Sequence, residues 1–348
     1  YISGNGCTPA KAELVWQDAM NLVTDIKYNA DSNGGNISFK VDRSSIRQGN
    51  AVIAIKDVSD AILWSWHVWV TDEDINNVIE ITNHQNVKYN FMPVNLGQCD
   101  GNTITYEERS CKVKFIAGDQ SKEITIKQLA NVIATGSNAP FYQWGRKDPL
   151  YPSNGMGNTT KIWYDKEGIP STANPMKGTF SAGNDCIKNC ILNPNLMHNR
   201  YNGDYTYYNL WSADNKTTSA NDNPVNKTIY DPCPVGFKLP ASNAFTGFTT
   251  TGESVSSSTQ VNGTWSSSEK GWYFYTNSEK TQSIFFPALG YRSYSTMRPG
   301  SIGTQGCLWS AHPVAKGNNY YLRTSSVDVQ PTYMVDRGFG YALRPCQD

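Results

Sequence analysis

Between Lys227 and Pro240 the chain reads KTIYDPCPVGFKLP, a single cysteine set between two prolines. Pro232 and Pro234 each fix their own φ and push the residue before them out of the α region. The segment is therefore a rigid extended turn that holds Cys233 in one direction. Rigidity of this kind points to a covalent partner for the thiol. Downstream lie the β-like runs GWYFYT, SIFFPALGYR, GCLWSA, NYYLRT and FGYALRPC, and LPASNAFTGF carries the signal for a short helix starting near a Ser242 cap.

Upstream the grammar differs. From about residue 134 the chain runs for roughly ninety positions through Gly, Asn, Ser, Pro and aromatic residues with little periodicity, longer than loops usually run without structure of their own. Trp144, Trp163, Tyr164, Tyr207, Tyr208, Leu210 and Trp211 supply anchors that disordered chains lack, so a compact irregular fold is expected. Before residue 130 the pattern is strand-like. In SCKVKFIAGDQSKEITIKQ, Cys111, Val113 and Phe115 alternate with lysines, and after a Gly-Asp turn Ile124 and Ile126 alternate with polar residues. This is a hairpin with one wet face. GNAVIAIKDVSDAILWSWHVWV adds strands at 51–56 and 61–70 joined by the polar turn Asp57 to Asp60. With AELVW, NISFKV and NVKYNFM, six or seven short strands fit, as a β-sandwich needs. Small residues in ATGSNAP, 134–140, have the composition of a linker.

Composition limits the function classes. The 348 residues imply roughly two domains. Lys plus Arg and Asp plus Glu both number 30, which gives no bias toward nucleic acid, anionic membrane or an acidic substrate. Only 17% of residues are charged while Gly, Asn, Ser and Thr abound, a profile of secreted surface proteins. The eight cysteines are even in number, which fits pairing. No run of about 18 apolar residues occurs to span a bilayer as a helix. The sequence opens at Tyr1 without a charged segment and an apolar h-region, so any export signal is expected to have been removed or to lie outside this sequence.

The order KTIYDPCPVGFKLP, SIFFPALGYRS, GCLWSA, YYLRTSSVDV and DRGFGYALRPC resembles the Fibrobacter succinogenes major paralogous domain, which is similar to C-type lectin-like and formylglycine-generating-enzyme-like folds and is common in Bacteroidetes surface proteins. GNAVIAIKDVSDAILWSWHVWVTD and FYQWGRKDPLYP resemble segments that precede this domain in Bacteroidales surface lipoproteins and fimbrillin-type proteins. The resemblance implies a bridge from Cys233 to Cys346 that ties the ends of the domain. The loop of about 112 residues so closed would contribute about 4 to 5 kcal/mol in a chain-entropy account. Two buried free thiols are the other reading, since pairing does not follow from sequence alone.

No catalytic pattern emerges. His67, His84, His198 and His312 are scattered without an HxH or HExxH arrangement, and neither a G-x-S-x-G elbow nor a P-loop occurs. His67 in WSWHVW reads as a packed or edge histidine. CIKNC, Cys186 to Cys190, offers two thiolates but no second pair nearby, and a small local disulfide loop is expected in an oxidising compartment. Cys99 and Cys111 flank a polar loop that they can close, and Cys307 reads as structural, paired with Cys7 or free. The calcium-lectin signatures Glu-Pro-Asn and Trp-Asn-Asp are missing. Asp214, Asn215, Asn221 and Asp222 lack the spacing of a calcium loop and read as hydrogen-bonding groups. The remaining signal is aromatic. In GWYFYT, strand alternation sends Trp272 and Phe274 to one face and Tyr273 and Tyr275 to the other. Tyr291, Arg292, Tyr294 and Arg298 gather in Gly-rich loops, where rings and guanidinium groups can meet a sugar face or a protein.

The expectation is thus a β-rich, two-domain chain: an antiparallel β-sandwich over 1–135, fimbrillin-like or Ig-like, then an irregular α+β C-type-lectin-like domain over 136–348. By resemblance it is a non-enzymatic adhesin or fimbria-associated protein on the outer cell surface, recognising a glycan or a host or bacterial surface protein through its C-terminal domain. It needs no cofactor and binds no nucleic acid, and meets a membrane only through a lipid anchor not in this sequence. The alternative is a structural pilus or surface-assembly subunit joined to other fimbrial subunits by β-strand addition.

Overall fold

A computed structural model describes residues 7–32, 35–178, 184–199, 209–214, 218–314 and 317–348; Tyr207, Tyr208 and Asn215 lie outside them. The chain is β-rich and built from several sheets, nearly all antiparallel. Its central N-terminal strand, Gly49–Lys56, is buried along almost its whole length because NAVIAI is apolar on both faces. Lys11–Gln17 and Ile62–Val70 flank it. Ala51 and Ile53 pack with Leu22, Val23, Ile26 and Ile37, under the hairpin of Thr24–Asn29 and Asn36–Lys40. Val52 packs with Trp16, Tyr151 and Trp163 on the other side. The strand Trp163–Tyr164 joins the same sheet through Gln17.

Strand pairing therefore crosses the expected boundary at 135, and it crosses in the opposite direction as well. Ile79–Thr82 and Lys88–Phe91 belong to a four-stranded sheet completed by Phe237–Lys238 and Cys346–Gln347. The strands of 1–135 are thus shared among several sheets and do not close one sandwich of their own. The reason is local: Phe91, Ile81 and Met92 are fully apolar anchors, and the cores that accept them are lined by Phe245, Phe248, Trp272 and Phe286 on one side and Trp144, Trp211 and Trp309 on the other.

The same sheet changes the account of the Cys233 turn. All eight cysteines are free thiols, Cys233 and Cys346 included. Cys233 faces the core of Trp211, Leu239 and Trp309, while Cys346 faces that of Phe91, Phe245 and Phe286. The ends of this segment are tied instead by backbone pairing, Phe237 opposite Gln347 and Lys238 opposite Cys346. The turn is rigid because two opposite charges grip it. Asp231 accepts the Cys233 N–H at 2.8 Å and the Leu239 N–H at 3.1 Å. Lys227 Nζ donates to the carbonyls of Cys233, Pro234 and Phe237 at 2.5, 2.9 and 2.7 Å. Burial pushes both thiols up, that of Cys346 to about 12.

The other local expectations divide similarly. Ser242–Phe248 is helical but a 3₁₀ helix, with Ser242 inside it and no side-chain cap. CIKNC lies in an α-helix, Asn184–Leu192, instead of a disulfide loop. Cys99 is buried and Cys111 exposed, and neither they nor Cys7 and Cys307 are joined. The hairpin Arg109–Ala117 with Gln120–Gln128 forms as read, turning at Gly118 and Asp119 with Gly118 at φ +59°. It is not a sandwich strand pair, because it pairs only with itself. Its root is a second two-stranded piece, Thr103–Tyr106 with Asn131–Ala134.

Candidate functional site

The Gly-rich loop after Tyr291 was the expected recognition surface, and the structure splits it. Arg292 is fully buried. Its Nη2 donates to the Tyr151 carbonyl at 2.5 Å, and its Nη1 donates to the Met297 carbonyl at 2.6 Å and to Asn174 Oδ1 at 3.2 Å. Its guanidinium lies 5.4 Å from the Phe141 ring centroid, and burial pulls its pKa down to about 9. Arg292 is therefore a strut between this loop and the segment 151–174, not a surface ligand group. Tyr291 and Tyr294 are half-buried against the edge of Phe339, with centroids at 5.5 and 4.7 Å. Arg298 is exposed. The half-buried Tyr291 and Tyr294 and the exposed Arg298 are what remains of that surface.

Two exposed apolar features lie elsewhere. One is a cleft of about 560 Å³ between the hairpin 24–40 and the sheet, lined by Tyr28, Ile37, Phe39, Ile55, Trp66 and Val68 among others. Phe39 and Trp66 are 42% and 43% exposed at its rim. His67 reaches the cleft wall but is spoken for. Asn50 uses its Nδ2 to donate to Asp18 and the Gly97 carbonyl, so its Oδ1 accepts from His67 Nε2 at 2.9 Å. His67 Nδ1 then accepts from the Tyr142 hydroxyl at 3.0 Å. Burial holds this imidazole neutral, with its pKa at about 3, so it is a packed histidine.

The second feature is the ribbon of residues 103–134. Alternation sets Cys111, Val113 and Phe115 beside Ile126, Ile124 and Lys122 on one face. Among the described residues nothing covers that face: Phe115, Ile124 and Ile126 are 58%, 44% and 53% exposed. Sequence pattern had marked the alternation, yet it gave no sign that the apolar side would be left open.

Among the described residues one cluster has metal-ligating chemistry. Cys186, Cys190 and His198 bring their ligand atoms within 4.8 Å of one another. The C-x₃-C spacing places both thiols on one helix face, and His198 arrives from the strand Leu196–His198. A hydrogen bond from Cys186 lowers the Cys190 pKa well below its ordinary value and raises that of Cys186. Sequence spacing missed the third member because the strand brings it in. The Asp222 region reads differently, since its carboxylate already accepts from Asn83, Tyr89 and Asn243. Cys307 is buried, and burial pushes its thiol up to about 12.

Compared with known proteins, the chain matches no family model, no curated protein and no solved structure. The class that its geometry defines is a β-rich chain of several antiparallel sheets carrying an uncovered apolar ribbon and an apolar cleft.

Proposed function

We propose that this chain is a non-enzymatic, exported surface protein of the adhesin or fimbria-associated kind, with a C-type-lectin-like region after residue 136, and that its ligand is a protein. The observation that carries the reading is the ribbon 103–134. An isolated two-stranded ribbon is marginal in water, and a contiguous exposed apolar face costs solubility unless a partner uses it. Sugars need dense hydrogen-bonding groups beside an aromatic ring, whereas the ribbon face and the cleft offer mainly Val, Ile, Phe and Trp. The lectin-like reading draws support from the pairing of 237–238 with 346–347, which sets the segment after the Cys233 turn beside the last strand, the two places that the resemblance joins, by backbone hydrogen bonds and not by a disulfide.

The rival, a subunit joined by strand addition, needs a free sheet edge. The outermost N-terminal strand, Ile62–Val70, is nine residues long. Its Ser65 carbonyl already accepts from Lys147 Nζ at 2.9 Å, and the helix Asn184–Leu192 packs against it. Among the described residues the ribbon strands Arg109–Ala117 and Gln120–Gln128 pair only with each other, so their outer edges are where strand addition would act, and the exposed Phe115, Ile124 and Ile126 favour side-chain recognition there instead.

The test is a panel of purified extracellular proteins beside a glycan array, probed with the whole chain and with a Phe115→Lys/Ile124→Lys variant. Saturable protein binding that the variant loses, at unchanged Tm, supports the reading. Binding to glycans alone, or protein binding that the variant keeps, overturns it.

A further inference from the structure

We infer that Cys186, Cys190 and His198 form a binding site for a thiophilic divalent metal ion, zinc being the member of that class whose chemistry the donor set fits. Two thiolates and one imidazole are soft and borderline ligands, which select zinc over magnesium or calcium. A tetrahedral zinc site with bonds near 2.3 Å to sulfur and 2.0 Å to nitrogen sets its donors roughly 3.5 to 3.8 Å apart. The three ligand atoms lie within 4.8 Å of one another, so closing on an ion takes side-chain movements of about an ångström, without rebuilding the backbone.

The backbone around the cluster is held for that purpose by groups outside it. Gln143 Nε2 donates to the His198 carbonyl at 2.8 Å, and Gln143 Oε1 accepts the His198 N–H at 3.0 Å. Three residues on, buried Arg146 donates to the carbonyls of Leu196 and, at 2.8 Å, Pro194. These two side chains fix the segment that runs from the end of the helix to the histidine. Gly178 pairs with His198, and a Cβ at that position would sit 3.2 Å from Nδ1 and still closer to Leu196. The absent side chain leaves the imidazole its room.

Three protein ligands leave the fourth tetrahedral position to water or to an incoming donor, and Cys186 and Cys190 are only partly buried, which gives an ion a way in. Binding forms two metal–thiolate bonds and releases to solvent the protons that the two sulfurs carry, that of the Cys186 S–H among them, with no change of oxidation state. The site is independent of the ribbon and cleft and stands whether or not they bind a protein.

The experiment uses the full chain, reduced, in a Cys7→Ser/Cys111→Ser background so that the two exposed thiols take no part. Titration with Co²⁺ should give one equivalent of a tetrahedral, thiolate-rich spectrum, which Zn²⁺ then displaces. Outer-shell substitutions alone cost about 10- to 100-fold in metal affinity, so Cys190→Ser or His198→Asn should cost about 100-fold or more. Zn²⁺ should raise Tm in the parent and leave both variants unmoved, while far-UV circular dichroism checks that they fold. Absence of the cobalt spectrum in reduced protein overturns the inference. So does a spectrum that survives both substitutions.

Discussion

Arg292 Nη2 donates to the carbonyl of Tyr151 at 2.5 Å, so a guanidinium in a Gly-rich loop acts inside the protein as a backbone partner. Removing it strands the Tyr151 and Met297 carbonyls in a buried site. Arg292→Ala should therefore cost about 3 kcal/mol or more in chemical denaturation. Arg298→Ala, on the exposed side of the same loop, should stay within about 0.5 kcal/mol. The reverse order would return Arg292 to the surface.

Phe91 is fully buried, faces Phe245 at a centroid distance of 5.6 Å, and lies opposite Cys346 in the sheet. Phe91→Ala should destabilise the protein by about 3 to 5 kcal/mol. For the same reason a fragment of residues 136–348 lacks Ile81 and Phe91 from its aromatic core, and should bind a hydrophobic dye and melt without cooperativity. A fragment that melts sharply near the whole chain's Tm would restore the boundary at 135.

His312 is fully buried, and its Nδ1 accepts the Ser242 N–H at 3.2 Å. Burial pushes its pKa from 6.5 down to about 4. The unfolded chain then binds the proton first as pH falls, so the contribution is complete above 6.5 and is lost toward pH 4. The slope it adds is at most about 1.4 kcal/mol per pH unit. His312→Gln should flatten stability against pH between 6.5 and 4; an unchanged slope assigns the titration to other groups.

The ribbon should be separable from stability. Its outer part, 109–128, contributes no residue to any core cluster. Replacing that part by a short Asn-Gly turn should change the unfolding free energy by less than about 1 kcal/mol while abolishing ligand binding. A large loss of stability would show that the ribbon supports the fold.

Strand by strand, much was legible. The alternation of Val113, Phe115, Ile124 and Ile126 located a hairpin whose Gly118-Asp119 turn matches the reading, and the apolar run at 51–56 located the central strand. Pairing between distant strands was not legible, because Lys88–Phe91 and Phe237–Lys238 carry the same short apolar signal whichever sheet accepts them. The site was read from loop composition, which does not separate an arginine that meets solvent from one that satisfies buried carbonyls. Similarly, C-x₃-C has one meaning in an extended loop and another on a helix, and only the fold supplies the histidine.

Asn90 Nδ2 donates to Gln347 Oε1 at 3.4 Å across a separation of 257 positions. The sheet that holds this pair has no second neighbour for Phe91 until residues 346 and 347 have been made. A growing chain therefore keeps both aromatic cores open through most of its synthesis, and closes them late and slowly, as contacts of such long range require. If the chain is exported, as proposed above, that delay is an asset: the order of synthesis itself keeps the chain threadable.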